Sequence, residues 1–104
     1  MNLSDVMSTF SELINKEQPV LVDFYADWCG PCQTMMPILE EVKKELGDAV
    51  SIIKINIDKN QNIATRFQVR GVPTFMLYKN GEQVWRQSGL VQKAELIQTL
   101  KKFQ

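Results

Sequence analysis

The sequence predicts an α/β protein in which a central strand is covered by helices on both faces. Two observations lead to this fold class. Segments with helical apolar spacing alternate with short β-branched runs, in the order helix, strand, helix, strand, helix, strand, strand, helix. Residues 20–26 are apolar except at Asp23, which is typical of a strand buried on both faces. A chain of 104 residues is sufficient for one core, so we expect a single domain over residues 1–104.

The first half of the chain contains two predicted helices that flank this strand. Apolar residues at helical spacing predict the first helix at residues 5–15 and the second at residues 32–46. Gly47 is placed to end the second helix, and Pro37 inside it predicts a kink rather than two helices. We expect Met35 and Met36 to fill the core rather than form a binding surface.

The second half contains the remaining strands and helices. Runs rich in β-branched or aromatic residues predict strands at residues 50–57, 74–78 and 83–88, the first of them buried. Asn80-Gly81 is a strong signal for a hairpin turn between the last two strands. Helices are expected at residues 60–67 and 93–103.

The composition excludes several classes of function. The chain has 12 basic and 12 acidic residues, which argues against a nucleic-acid binder. It has no histidine, so catalytic pairs that use histidine and histidine-ligated metals are excluded. No apolar run approaches the length of a membrane span, and the start does not resemble a signal peptide. We therefore expect a cytoplasmic protein without bound metal or cofactor.

The two cysteines form the pattern Trp28-Cys29-Gly30-Pro31-Cys32 between the buried strand and the second helix. A helix N-terminus carries unpaired amides, which stabilise a thiolate at Cys29. Cys32, one turn further in, is expected to be shielded and to attack a mixed disulfide formed on Cys29. A Gly-Pro pair between the cysteines offers the reduced thiolate no charged partner, which favours a reducing role. Two alternatives remain open: a redox-inactive peptide-binding module, and a metal site shared between two chains.

Asp23 and Lys54 each interrupt an apolar strand. Burial raises the pKa of a carboxyl group, so Asp23 is the best candidate to accept the proton of Cys32. Lys54 could tune Asp23 by ion pairing. The alternative is a buried ion pair without a catalytic role, or a lysine that points to solvent.

Val72-Pro73 directly precedes a predicted strand. Proline has no backbone N–H to donate to a sheet, so its presence at this place needs an explanation. A cis bond would leave the Val72 backbone available to an extended peptide, although the general rarity of cis bonds favours trans.

Several motifs at matching positions resemble the thioredoxin family. They are Val22-Asp23-Phe24, Trp28-Cys29-Gly30-Pro31-Cys32, Pro37, Lys54-Ile55-Asn56-Ile57-Asp58, Arg70-Gly71-Val72-Pro73-Thr74, Lys79-Asn80-Gly81 and Gly89. The resemblance implies a thioredoxin fold with a central mixed sheet, and a cis peptide at Pro73 that faces the dithiol. It implies that Cys29 is the nucleophile, Cys32 the resolving thiol, Asp23 the proton acceptor and Lys54 its modulator.

The resemblance also implies partners and a binding surface. The implied activity is the reduction of disulfides in target proteins, and the implied oligomeric state is a monomer. A flavin-containing, NADPH-dependent thioredoxin reductase would return the oxidised protein to its dithiol form. The implied substrate groove consists of Trp28, Gly30, Pro31, Ile57, Gly71, Val72, Pro73 and Gly89.

A few positions depart from the family pattern. Gln33 replaces a basic residue, and Ser88 and Leu90 stand where smaller apolar groups are frequent. The N-terminal segment is short, so the first strand of the family is expected to be reduced or absent.

Overall fold

The helices and strands follow the predicted order in the computed structural model, which describes residues 3–104. They are α1 (Leu3–Ile14), β1 (Val20–Tyr25), α2 (Gly30–Leu46), β2 (Ser51–Asn56), α3 (Gln61–Arg66), β3 (Thr74–Lys79), β4 (Glu82–Ser88) and α4 (Lys93–Lys102). The sequence did not predict the short 3₁₀ helix at Gly47–Ala49, which follows α2. Between residues 3 and 104, no helix has the length and apolar character that a membrane span requires.

The four strands form one mixed sheet in the order β2-β1-β3-β4. β1 pairs in parallel with β2 and antiparallel with β3, which in turn pairs antiparallel with β4. The mixed sheet implied by the family resemblance is therefore confirmed. Within the described residues no strand precedes β1, because α1 already begins at Leu3.

β2 lies at an edge of the sheet, so the prediction of a second buried strand was wrong. Its first three residues are half-buried, and Lys54 is exposed. Only Ile55 and Asn56 are buried. The β-branched residues of this segment indicate a strand, but they do not determine its position in the sheet.

β1 supplies side chains to both faces of the sheet, because successive residues of a strand point in opposite directions. Leu21 packs on one face with residues of α2 and α4. Val22 and Phe24 pack on the other face with residues of α1 and α3. All three side chains are fully buried, as expected for a central strand with helices on both sides. Asp23 has the same orientation as Leu21 and therefore lies on the α2 side.

α2 begins at Gly30, two residues before the predicted start, and it continues through Pro37 as one helix. It ends at Gly47, which has φ 57° and donates its backbone N–H to the Lys43 carbonyl. The positive φ explains why glycine stands at this position.

The predicted hairpin turn between β3 and β4 is confirmed. Asn80 and Gly81 have φ values of 52° and 81°. Two successive positive φ values are typical of the tight turns that match the twist of a hairpin.

The last residues of β1, β2 and β4 and the first residue of β3 lie side by side at one end of the sheet. Tyr25 at the end of β1 is opposite Asn56 at the end of β2. Thr74 at the start of β3 is opposite Phe24 of β1 and Ser88 at the end of β4. Four chain segments therefore lie close together at this end of the sheet: the turn into α2, the residues after β2, the loop before β3 and the residues after β4.

The expectation that both methionines of α2 fill the core was wrong for one of them. Met35 is 1% exposed and packs in the core, whereas Met36 is 43% exposed. A helix turns by about 100° per residue, so the position next to a buried residue can lie on the exposed side.

We expect Met35→Ala to lower the free energy of unfolding by about 2–5 kcal/mol, because it leaves a cavity. Met36→Ala, on the exposed side of the same helix, should change it by less than about 1 kcal/mol. Urea denaturation of the two variants beside wild type measures this difference. Similar losses in both variants would contradict the assignment of the buried face.

Candidate functional site

The two cysteines lie at the start of α2 and form a disulfide, with their Cα atoms 5.3 Å apart. Cys29 is the N-cap residue of the helix, and its Sγ accepts the Cys32 backbone N–H at 3.1 Å. The first turn of α2 contains no acidic residue that would offset the positive end of the helix dipole. A helix N-terminus of this kind favours negative charge on a sulfur at its cap.

Cys32 is shielded, as expected from the sequence, but residue exposure does not distinguish it from Cys29. Cys29 is 4% exposed and Cys32 is 6% exposed. They differ in their surroundings. Cys32 lines a cleft of about 260 Å³ beside Asp23, whereas Cys29 caps the helix. This Asp23 cleft is lined by Asp23, Tyr25, Ala26, Asp27, Cys32, Gln33, Met36 and Lys54.

Asp23 is the buried carboxyl group of the site. It is 4% exposed, and its Oδ1 atom has no hydrogen-bond partner among residues 3–104. Desolvation by burial raises the pKa of Asp23 from 3.8 to about 6, and the positive charge of Lys54 lowers it in part. A carboxyl group with this pKa can bind and release a proton close to neutral pH.

Lys54 lines the Asp23 cleft and is exposed. Within the described part of the chain, its ammonium group makes no ion pair with Asp23 at 4.0 Å or less. The buried Asp23–Lys54 pair considered from the sequence is therefore not formed. The influence of Lys54 on Asp23 acts through the field of its charge.

The Val72–Pro73 peptide bond is cis, as the resemblance implied and against the general rarity of such bonds. The Val72 side chain packs on the buried cluster formed by Ala26, Cys29 and Cys32. The backbone N–H and C=O of Val72 make no hydrogen bond within residues 3–104. This loop therefore presents unpaired backbone groups beside the disulfide.

The other residues predicted for the groove lie around the disulfide or on the loop. Trp28 is 71% exposed, and its indole N–H donates to Asp58 Oδ2 at 2.9 Å. Ile57 packs partly buried on the cysteine cluster. Gly89, with φ 91°, donates its backbone N–H to the Pro73 carbonyl at 2.9 Å.

Two glycines and a proline of the predicted groove are open to solvent. Gly30 and Pro31 form the exposed first turn of α2, and Gly71 is exposed at the start of the loop. No heavy atom lies within 4 Å of the position that a Cβ atom would take at Gly30 or Gly71. A visiting chain could therefore approach the backbone at both places.

Sequence reasoning missed the network that holds Trp28. Asn56 is buried, and its Oδ1 accepts the backbone N–H of Asp58 at 2.9 Å and that of Lys59 at 3.3 Å. Its amide group also donates to Asp27 Oδ2 at 3.4 Å. An asparagine at a strand end, followed two residues later by an aspartate, is a signal for such a turn and could have identified it.

The residues that depart from the family pattern also have defined positions. Gln33 donates from its side-chain amide to the Asp27 carbonyl at 3.3 Å. Leu90 is largely exposed. The Ser88 hydroxyl lies 3.0 Å from the Thr74 hydroxyl.

Residues 3–104 contain no group of three or more histidine, cysteine, aspartate or glutamate residues arranged to hold a metal ion. Both sulfurs are bonded to each other, so neither is a metal ligand in this state. The redox-active disulfide belongs to the chain itself.

Comparisons with known proteins agree with this geometry. The sequence model of the thioredoxin family matches residues 2–102. A thioredoxin from Rickettsia typhi is 45% identical over 101 residues, which cover 97% of this chain and 95% of that protein. The chloroplastic thioredoxin Y of Oryza sativa subsp. japonica is 50% identical over 94 residues, which cover 89% of this chain and 56% of the rice protein.

A solved structure shows the same fold. A mutant thioredoxin from Halobacterium salinarum NRC-1 superposes with a TM-score of 0.83 at 36% sequence identity, covering 92% of this chain and 83% of the other. These matches and the cysteine pair favour dithiol exchange over a redox-inactive module or a metal site shared between chains. The chain belongs to the thioredoxin family and is a thiol–disulfide oxidoreductase that reduces protein disulfides through Cys29 and Cys32.

Proposed function

We propose that the two cysteines have separate roles in the reduction of a target disulfide. The Cys29 thiolate attacks one sulfur of the target, forms a mixed disulfide and releases the other sulfur as a thiolate. The Cys32 thiol then transfers its proton to Asp23, and its sulfur attacks Cys29 Sγ. This second step re-forms the Cys29–Cys32 disulfide and releases the reduced target. Two electrons pass from the dithiol to the target.

The observation that carries this proposal is the different placement of two cysteines that are both buried. Cys29 occupies the cap of α2, where the helix dipole and the Cys32 N–H stabilise negative charge on sulfur. Cys32 lines the Asp23 cleft, which offers its proton an acceptor. A thiolate forms more readily at the cap, and a thiol that must lose its proton later benefits from a nearby base.

Asp23 is proposed as that base, with Lys54 as its modulator. Its pKa of about 6 leaves it mostly ionised at pH 7 but still able to bind a proton. The cleft volume of about 260 Å³ is sufficient for water between the carboxyl group and the Cys32 sulfur. The charge of Lys54 keeps the pKa of Asp23 from rising further.

We propose that targets bind along the surface around the disulfide as extended segments. The unpaired Val72 N–H and C=O can pair with the backbone of such a segment, as in strand addition. The exposed Trp28 and half-buried Ile57 offer apolar contact beside it. Backbone pairing is independent of target sequence and is therefore suited to many partners. The remaining residues assigned to this groove are Gly30, Pro31, Gly71, Pro73 and Gly89.

We also propose that residues 1–104 form one domain that acts as a monomer and is recharged by a thioredoxin reductase with flavin and NADPH. One sheet shared by both cores supports the single domain. The same exposed surface would bind the reductase, since the disulfide must be reached from outside. Size-exclusion chromatography and an assay coupled to NADPH oxidation test these statements.

The proposed compartment is the cytoplasm, where reducing conditions keep a dithiol available for catalysis. The name of the rice relative places that protein in the chloroplast. Fractionation of cells of the source organism tests the proposal, and recovery in an organelle fraction would contradict it.

We expect Cys32→Ser to accumulate a mixed disulfide with a target protein, because the resolving sulfur is absent. Cys29→Ser should accumulate none, because its remaining sulfur lies away from the helix cap. Serine retains nearly the size of cysteine, so the two variants are matched controls. Non-reducing electrophoresis of each variant with an oxidised target protein measures the adduct, and equal trapping by both would contradict the assigned order.

We expect Asp23→Asn to slow the resolving step by about 100-fold near pH 7, because asparagine cannot accept the proton. In wild type this step should accelerate as pH rises through about 6, where Asp23 loses its own proton. The variant should lack this rise. Stopped-flow measurement of mixed-disulfide decay between pH 5 and 8 tests both expectations, and superimposable profiles would remove Asp23 from the mechanism.

A further inference from the structure

A chain of two hydroxyl groups connects β4 to the loop before β3. The Thr74 hydroxyl lies 2.6 Å from the Gly71 carbonyl oxygen and 3.0 Å from the Ser88 hydroxyl. A carbonyl oxygen only accepts, so the single hydroxyl proton of Thr74 is committed to Gly71. The Ser88 hydroxyl must therefore be the donor to Thr74. The direction of the chain is fixed as Ser88 to Thr74 to Gly71.

The hydrogen bond at Gly71 also fixes the orientation of the next backbone N–H. The Gly71 carbonyl and the Val72 N–H belong to one planar peptide unit. This peptide is trans, because the cis bond lies one position later. The Val72 N–H therefore points opposite to the Gly71 carbonyl, away from Thr74. When Thr74 holds the carbonyl, it also determines the direction that the Val72 N–H offers to a partner.

Arg86 of β4 and Gly89, which follows β4, also restrain residues 67–73. The Arg86 guanidinium donates to the carbonyls of Phe67 and Gln68 at 2.8 and 2.9 Å. The Gly89 N–H donates to the Pro73 carbonyl at 2.9 Å. The Gly71–Val72 peptide unit lies between the carbonyls held by Arg86 and by Gly89. It is held by the hydrogen bond from the Thr74 hydroxyl to the Gly71 carbonyl. Through Thr74, Ser88 therefore acts on the peptide unit that carries the unpaired Val72 N–H.

We propose that Ser88 is a positioning residue for protein substrates: through Thr74, it orients the Val72 N–H that pairs with the extended backbone flanking a target disulfide. This inference rests on the proposed function of the loop and names the residue that sets its geometry. Ser88 itself touches neither sulfur. Its effect should appear with substrates that present a peptide backbone and be absent with disulfides that have none.

The substitutions Ser88→Thr and Ser88→Val form a matched pair, because threonine and valine have the same shape and differ in the hydroxyl. Ser88 is exposed, so both side chains can be accommodated. The threonine hydroxyl of Ser88→Thr can donate to Thr74. The valine of Ser88→Val cannot donate, and it also shields Thr74 from a replacing water. A difference between the two variants therefore reports on the hydrogen bond rather than on bulk.

The experiment compares wild type, Ser88→Thr and Ser88→Val with an oxidised protein substrate and with a small aromatic disulfide. We expect Ser88→Val to raise KM for the protein substrate by about three- to tenfold with little change in kcat, as for loss of one hydrogen bond. Ser88→Thr should restore KM to within about twofold of wild type. Rates with the small disulfide should agree among all three proteins.

Equal KM values for Ser88→Val and Ser88→Thr would overturn the inference, as would an equal loss with the small disulfide. Ser88→Ala provides a second variant if Ser88→Val does not fold, with the same expected direction and a smaller effect because water can replace the hydroxyl. Failure of Cys32→Ser, in an otherwise wild-type chain, to trap any target would instead refute the proposed function. The two failures are therefore distinguishable.

Discussion

The burial of β1 on both faces is the constraint on which the rest of the structure depends. Leu21 belongs to the core shared with α2 and α4, and Val22 belongs to the core shared with α1 and α3. The same strand positions Asp23 on the α2 side and leads directly into the turn that contains Cys29. One six-residue segment thus contributes to both cores and to the site. A change in the register of β1 would exchange its two faces and separate Asp23 from Cys32.

The carboxyl group in this strand destabilises the folded protein when it ionises. Raising the pKa of Asp23 from 3.8 to about 6 corresponds to about 3 kcal/mol. The raised pKa means that the folded state favours the protonated form. The contribution of Asp23 to stability is therefore fully present below about pH 4 and is lost as pH rises through about 6. The proposed role of Asp23 as a base near neutral pH gives this unfavourable burial a function.

The sequence alone predicts most of the elements, because helical periodicity, β-branched runs and Asn80-Gly81 are local signals. It also identifies the cysteine pair and Asp23. It does not predict that β2 lies at an edge or that Met36 is exposed, since both depend on which elements pack together. The hydrogen bond between Ser88 and Thr74 was beyond local reasoning for the same reason: strand pairing brings together residues that are far apart in sequence.

The central claim is that burial in β1 makes Asp23 a base near neutral pH. A carbon-13 NMR titration of the Asp23 carboxyl group in the oxidised protein tests it most directly, because the disulfide removes the two thiols from the titration. The account predicts a midpoint at about pH 6. A midpoint near the ordinary value of 3.8 would contradict it.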